Sequence, residues 1–232
     1  MMPELVGAAA TATGLWSYAT FYRNSALYGS TLGRLPGAAG SAKQIALTFD
    51  DGPNAEATPR ILDTLARENV PATFFLLGRH VEKWPQLAKR VADERHGVGN
   101  HGWFHKKLHL RGPGYVRLDL ELGTDAIQRA TGVAPTCFRA PHGFRSPWVS
   151  SIARELGQRT IGWTLGVWDS ARPGAEEIAR RSIDATRPGT ILLLHDGDGY
   201  DPAGDRTQTA EALPIIIRGL RARGFDFVQL PA

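Results

Sequence analysis

The chain has 232 residues, 42% hydrophobic and 22% charged, which is enough apolar side chain for a folded core and excludes a disordered polymer. Its formal net charge is only +4, from 27 Lys plus Arg against 23 Asp plus Glu, and the cations are scattered among acids, which argues against a nucleic-acid surface. The single cysteine, Cys137, excludes an internal disulfide framework and a cysteine-rich zinc site, leaving metal chemistry to histidine and carboxylate.

In chain order, residues 5–22 carry no charge, yet alanine, threonine and glycine make them only mildly apolar. A membrane span needs about 20 strongly apolar residues, and a secretory leader would want a basic start that this chain lacks. The segment reads as a membrane-proximal anchor or as a helix packed on the domain. The first reading places the protein in the cell envelope or outside the cytoplasm; the second leaves a cytoplasmic location open. Gly29, Gly33, Gly37 and Gly40 mark residues 23–41 as a loop. Residues 1–42 are thus expected to be an N-terminal segment, and 43–232 a single folded domain.

From there, strand-like and helix-like patterns alternate. Strands are expected at 44–50, 72–77, 97–101, 136–140, 159–164, 190–195 and 226–230. Helices are expected at 58–69, 81–95, 114–131, 175–187 and 207–223, the last interrupted or kinked by Pro214. Seven strands joined by helices imply parallel pairing with both faces covered, in an open doubly wound sheet or a (β/α) barrel.

The unusual polar residues fall at the strand ends. Asp50 and Asp51 close the first strand, and His101 closes the third, with His105 four residues on. Arg139 ends the fourth, Asp169 follows the fifth, and His195 with Asp196 ends the sixth. The carboxyl ends of parallel strands form the active face in such folds, so these groups should meet in one mouth. Gly52 and Pro53 bend the chain just after the two aspartates, which would let both carboxylates face that mouth. An i, i+4 histidine pair with an acidic strand end makes a three-ligand site with room for water, the pattern of catalytic zinc; ferrous iron takes the same set. A buried arginine needs a carboxylate partner, and Asp50 and Asp169 are the candidates for Arg139.

These residues resemble the polysaccharide deacetylases of carbohydrate esterase family 4, which share the NodB homology domain. Thr48–Pro53 is similar to the first family motif, Asn100–His105 to the second, Arg139–Pro141 to the third, Trp163–Asp169 to the fourth and Leu194–His195 to the fifth. The resemblance implies a distorted (β/α) barrel of about seven parallel strands and a metal-dependent hydrolase that removes acetyl groups from N-acetylated glycans such as chitin oligomers or peptidoglycan. It implies Asp50 as catalytic base, Asp51, His101 and His105 as ligands of a divalent metal, His195 as acid and Arg139 as the residue that orients the base, with Asp169 tied to Arg139. Zinc is the expected metal, with cobalt, nickel and iron as alternatives. Pro141, His142, Trp103, Trp168 and Leu193 are expected to contact the glycan, and the His142 N–H to hold the oxyanion.

The chain departs from the family pattern at Gly102, where Ser or Thr is usual, at His142, where Tyr or Phe is usual, and in the fourth motif, where Trp168 precedes Asp169. These departures concern substrate rather than chemistry. They leave an amidase acting on a small non-glycan amide, or a silent glycan-binding module, as alternatives. No feature bears on oligomeric state. Cys137 reads as a small buried hydrophobe. His80, His96 and His109 read as surface or helix-end residues, and Trp16, Trp84 and Trp148 as packing.

Overall fold

The computed structural model describes residues 2–37 and 43–231; the last part of the glycine-rich lead-in, with Gly40, lies outside the described residues. The first helix, α1 (Met2–Phe21), leads to a short strand, β1 (Thr31–Leu32). Then follow β2 (Gln44–Asp50), α2 (Ala57–Glu68), β3 (Ala72–Leu76), α3 (Gly78–Lys83), α4 (Pro85–Asp93) and β4 (Gly97–Asn100). The middle of the chain adds α5 (Pro113–Thr131), β5 (Cys137–Phe138), α6 (Pro147–Glu155), β6 (Arg159–Ile161) and β7 (Leu165–Gly166). It closes with α7 (Ala175–Ala185), β8 (Thr190–His195), α8 (Thr207–Ala222) and β9 (Asp226–Phe227).

All the strands pair in parallel in the order β1-β6-β5-β4-β3-β2-β8-β7, and β9 pairs with the start of β2. The sheet curls into a distorted (β/α) barrel with helices outside. The central strands are apolar along their length because both faces are covered: Ile45, Ala46, Leu47 and Phe49 of β2 and Ile191, Leu192 and Leu194 of β8 are fully buried. In the register Asp50 lies opposite His195, and Leu76 beside Asn100, which is in turn beside Phe138. The strand ends therefore deliver Asp50, His101, Arg139 and His195 to one rim.

Each of the seven expected strands is present, several shorter than their apolar runs, and the two-residue strands β1 and β7 join them. The expected helix over 81–95 is two helices, because Pro85 cannot donate a backbone bond and pushes Trp84 to φ −132°, ψ 61°. Conversely, α8 runs unbroken through Pro214, contrary to expectation. An interior proline costs about 3 kcal/mol, and the buried Leu213, Ile216, Ile217 and Leu220 on that helix offset it. Helix α6 is not among the expected helices; at nine residues it is short, and it begins at Pro147.

Among the described side chains of α1, the last turn packs on the barrel: Ala19 and Thr20 are buried and the Thr20 carbonyl accepts from the Arg145 N–H at 3.1 Å, whereas residues 11–16 are exposed. Among the described residues no helix is long and apolar enough to cross a membrane.

Candidate active site

The mouth of the barrel opens into a cleft of about 650 Å³ lined by Asp50, Asp51, His101, His105, His142, Trp163, Trp168, Asp169, Leu193 and His195 among others. Strand geometry alone would send Asp50 and Asp51 to opposite faces. The backbone of Asp51 is left-handed, φ 72°, which breaks the alternation and turns its carboxylate to the same side. His105, His142 and Trp168 also take positive φ, at 52°, 61° and 60°. Backbone strain of this kind persists only where surrounding structure enforces it, and it gathers at functional sites.

The carboxylate of Asp51 and the rings of His101 and His105 offer ligand atoms within 4.8 Å of one another, all on buried side chains. Asp51 Oδ1 is 3.3 Å from His101 Nε2 and 3.1 Å from His105 Nε2. His101 Nδ1 lies 2.8 Å from the Arg139 carbonyl, the outer contact that fixes which nitrogen faces a metal. Burial opposes charge on Asp51, but the flanking imidazoles prevail and hold its carboxyl well below the usual carboxylate range.

Arg139 is fully buried, stacked 4.0 Å from the centroid of Phe75, and its Nη1 donates to Asp50 Oδ1 at 2.7 Å and to Thr48 Oγ1 at 2.9 Å. Its other terminal nitrogen donates to the Gly162 carbonyl at 2.9 Å. With Oδ1 so held, Asp50 Oδ2 faces the ligand cluster, 3.9 Å from His101 Nε2.

The expected tie between Arg139 and Asp169 is not formed. Asp169 instead serves His195: its Oδ1 lies 2.9 Å from His195 Nδ1, and its Oδ2 accepts the His195 backbone N–H at 2.7 Å and the Thr209 hydroxyl at 3.0 Å. The reason is register: β8 ends at His195, and the short helical turn beginning at Asp169 packs directly on it, while Arg139 finds Asp50 one strand nearer. Burial works against a charged imidazole, yet the Asp169 carboxylate overrides it and pushes the His195 pKa up to about 9.

Of the residues expected to contact the glycan, Leu193, His142 and Trp168 line the cleft, Trp168 being 74% exposed. Trp103 and Pro141 do not. After Gly102 turns the chain, the Trp103 indole lies back against Gly78, where a Cβ would come within 2.7 Å of the ring, and packs on the core. Pro141 is buried behind Ala140 and His142.

Several cleft residues escaped the sequence reading. Arg23, from the lead-in, lines the cleft and donates to the Trp163 and Thr164 carbonyls at 2.9 and 3.3 Å. Tyr200 closes the opposite side, its hydroxyl 3.0 Å from His142 Nε2. His80, read as a surface or helix-end residue, is in fact buried, with Nδ1 2.7 Å from the Asp51 carbonyl, and so braces the turn that carries the first ligand. No local pattern marks it, because that contact joins the start of α3 to the end of β2. Cys137 is buried as expected, and burial pushes its thiol up to about 12.

The missing hydroxyl at Gly102 has a steric cause. Gly102 sits at φ +80°, and a Cβ there would fall 2.2 Å from Oδ2 of Asp119, whose Oδ1 accepts the Phe104 N–H at 2.8 Å. Burial raises the Asp119 carboxyl. Gly102→Ser is therefore expected to destabilise the fold by about 1–3 kcal/mol, read as a lower midpoint in urea unfolding. An unchanged midpoint would show that Asp119 can withdraw.

A family model for polysaccharide deacetylase matches residues 37–161. A chitooligosaccharide deacetylase of Bradyrhizobium sp. (strain ANU 289) is 38% identical over 198 residues, covering 82% of this chain and 90% of that protein. Among solved structures, the Bc1960 peptidoglycan N-acetylglucosamine deacetylase superposes with a TM-score of 0.78 at 32% identity, covering 87% of this chain and 91% of that one. A pseudoenzyme of carbohydrate esterase family 4 from Bacillus anthracis, BA3943, superposes at 0.73 with 31% identity, over 81% of this chain and 63% of that one. The fold is thus shared by a named deacetylase and by a named pseudoenzyme. By sequence match, by fold and by the strand ends that carry its polar groups, this chain belongs to the polysaccharide deacetylase family.

Proposed function

We propose that the protein is a metal-dependent N-deacetylase acting on N-acetylglucosamine-containing glycans, chitin oligomers or peptidoglycan strands, and releasing acetate. The observation that carries this reading is the placement of Asp50 Oδ2 beside the Asp51–His101–His105 cluster, with His195 across the same cleft. The cluster fits a divalent cation: Asp51 Oδ1 is buried with no hydrogen-bond donor, as a ligand atom would be, and two neutral imidazoles with one carboxylate are a zinc-type donor set. When bound, zinc or a similar ion would polarise the acetyl carbonyl and lower the pKa of water.

The protein's own groups supply the rest. Asp50, aimed by Arg139, takes a proton from the attacking water. The His142 backbone N–H, on a residue of positive φ in the cleft wall, is the proposed donor to the developing oxyanion. His195, held by Asp169 at Nδ1, offers Nε2–H to the departing sugar amine, so the bond to the acetyl carbon breaks as nitrogen gains its proton. Trp168, exposed at the rim, provides a face on which a sugar ring can stack.

Acetate release from N-acetylglucosamine oligomers tests the reading. Exhaustive chelation should abolish release, and zinc or cobalt should restore it. Full activity after chelation would end the metal assignment. Binding without release would favour a silent module, and activity confined to small amides an amidase.

A further inference from the structure

Three stretches of the chain hold no Asp or Glu: residues 5–49, 97–118 and 126–154. The fold brings parts of all three together on one side of the cleft. Phe21 packs edge-on to His109 and Phe144, with centroids 5.4 and 5.3 Å away, and those two rings meet at 5.2 Å. Trp148 Nε1 donates to the Arg111 carbonyl at 2.7 Å, and the Arg145 N–H to the Thr20 carbonyl at 3.1 Å.

This face is both apolar and basic. Leu15, Trp16, Tyr18, Phe21 and Tyr22 are 44–55% exposed around the last turns of α1, and Leu110 is 71% exposed. Lys106, Lys107 and Arg111 are exposed beside Leu110, and Arg111 lies over the Tyr115 ring. Arg23 follows α1 directly. Among the described residues none of these four cations pairs with a carboxylate; Arg23 is bonded to backbone carbonyls. The face is also continuous with the cleft, because Phe144 stacks on His142 at 6.1 Å and both line it together with Arg23.

We propose that this face docks onto an anionic lipid surface, holding the mouth of the cleft at the bilayer–water boundary. Tryptophan and tyrosine favour that boundary, a contiguous exposed apolar patch marks a contact surface, and unpaired Lys and Arg are drawn to anionic headgroups. The charge selects this occupant over a second copy, whose identical cationic face would be repelled. Since no described helix is long and apolar enough to span a bilayer, the contact is on the surface rather than through it. The proposal goes beyond the deacetylase reading and does not depend on it.

The test is co-sedimentation of the full chain with vesicles of phosphatidylcholine alone or mixed with phosphatidylglycerol. Binding should be at least about tenfold tighter to the anionic vesicles and weaken with salt. Lys107→Gln with Arg111→Gln should weaken it about twenty-five-fold, from about fivefold per charge. Trp16→Ser with Leu110→Ser should weaken it about tenfold. Both double variants should release acetate from soluble oligomers at the parent rate, which shows that they fold. Failure to sediment with anionic vesicles, or equal binding to both lipids, would overturn the proposal. So would a Trp16-dependent dimer in sedimentation velocity that leaves vesicles unbound. Failure of the deacetylase reading would show separately, as no acetate from the unaltered protein.

Discussion

Asp50→Asn should lower turnover by about 100- to 10,000-fold, the usual contribution of a positioned general base, while the protein still binds zinc through Asp51, His101 and His105. The amide has the carboxylate's shape and can still accept from Arg139 through Oδ1, but it cannot take a proton. A second effect comes with the first. Arg139 is fully buried and donates to Asp50 at 2.7 Å, so the substitution leaves a guanidinium in the core without its counter-charge. Removing one partner of such a pair costs about 3–5 kcal/mol. The expected result is thus an inactive, metal-replete protein with a markedly lower unfolding temperature. Zinc content, acetate release and thermal unfolding measured on one preparation check all three parts. An active Asp50→Asn would remove Asp50 as the base, and loss of metal with activity would make it a ligand.

Asp169→Asn should act on the other proton. The Asp169 carboxylate holds the His195 pKa up at about 9, against a burial cost that pulls it down. In the proposed mechanism His195 gives its proton to the leaving amine only while protonated, so turnover should be sustained below about pH 9 and fall as pH rises through that value. Without the carboxylate, burial is no longer opposed by its main partner. The basic limb of the kcat–pH profile should then move toward or below the ordinary histidine value of about 6.5. At pH 8 the loss should reach about 1,000-fold, since the ring also loses the group that fixes its tautomer. A limb that stays near pH 9 in the variant would show that Asp169 does not tune His195. The expectation that Asp169 served Arg139 predicts the opposite pattern, a defect in the base limb with the acid limb intact.

That contrast shows where one-dimensional reading ran out. Asp169 could be recognised as a site residue because it follows a strand end, but two basic groups, Arg139 and His195, were open to it. The choice was made by strand order: β2 lies between β3 and β8, which sets Asp50 opposite His195 and leaves the turn at Asp169 packed on the end of β8. Trp103 failed for a similar reason. Its place inside the second motif suggested a sugar contact, whereas the turn at Gly102 and the bare Cα of Gly78 draw the indole into the core.

His80, Arg23 and Tyr200 carry no motif at all. His80 and Arg23 reach the site from segments distant in the chain, and Tyr200, only five residues after His195, is brought there by the loop that follows β8 rather than by any local pattern. The one-residue cue that did mislead was Pro214, whose local cost is outweighed by four buried aliphatic neighbours on its helix.

What the sequence determined by itself was the chemistry and the class of fold. Apolar runs of strand length, alternating with helical periods, demand a parallel sheet covered on both sides, and parallel strands all point their carboxyl ends one way. Polar residues confined to those ends must then converge, which is why Asp50, Asp51, His101, His105, Arg139 and His195 could be named as one group. The tertiary structure alone decided which of them pair, because pairing depends on strand order and on left-handed residues such as Asp51 and His105, and neither is encoded in local periodicity. It also decided that Leu15, Trp16 and Leu110 remain in water beside a cationic rim, since exposure is a property of the assembled surface and of no single segment.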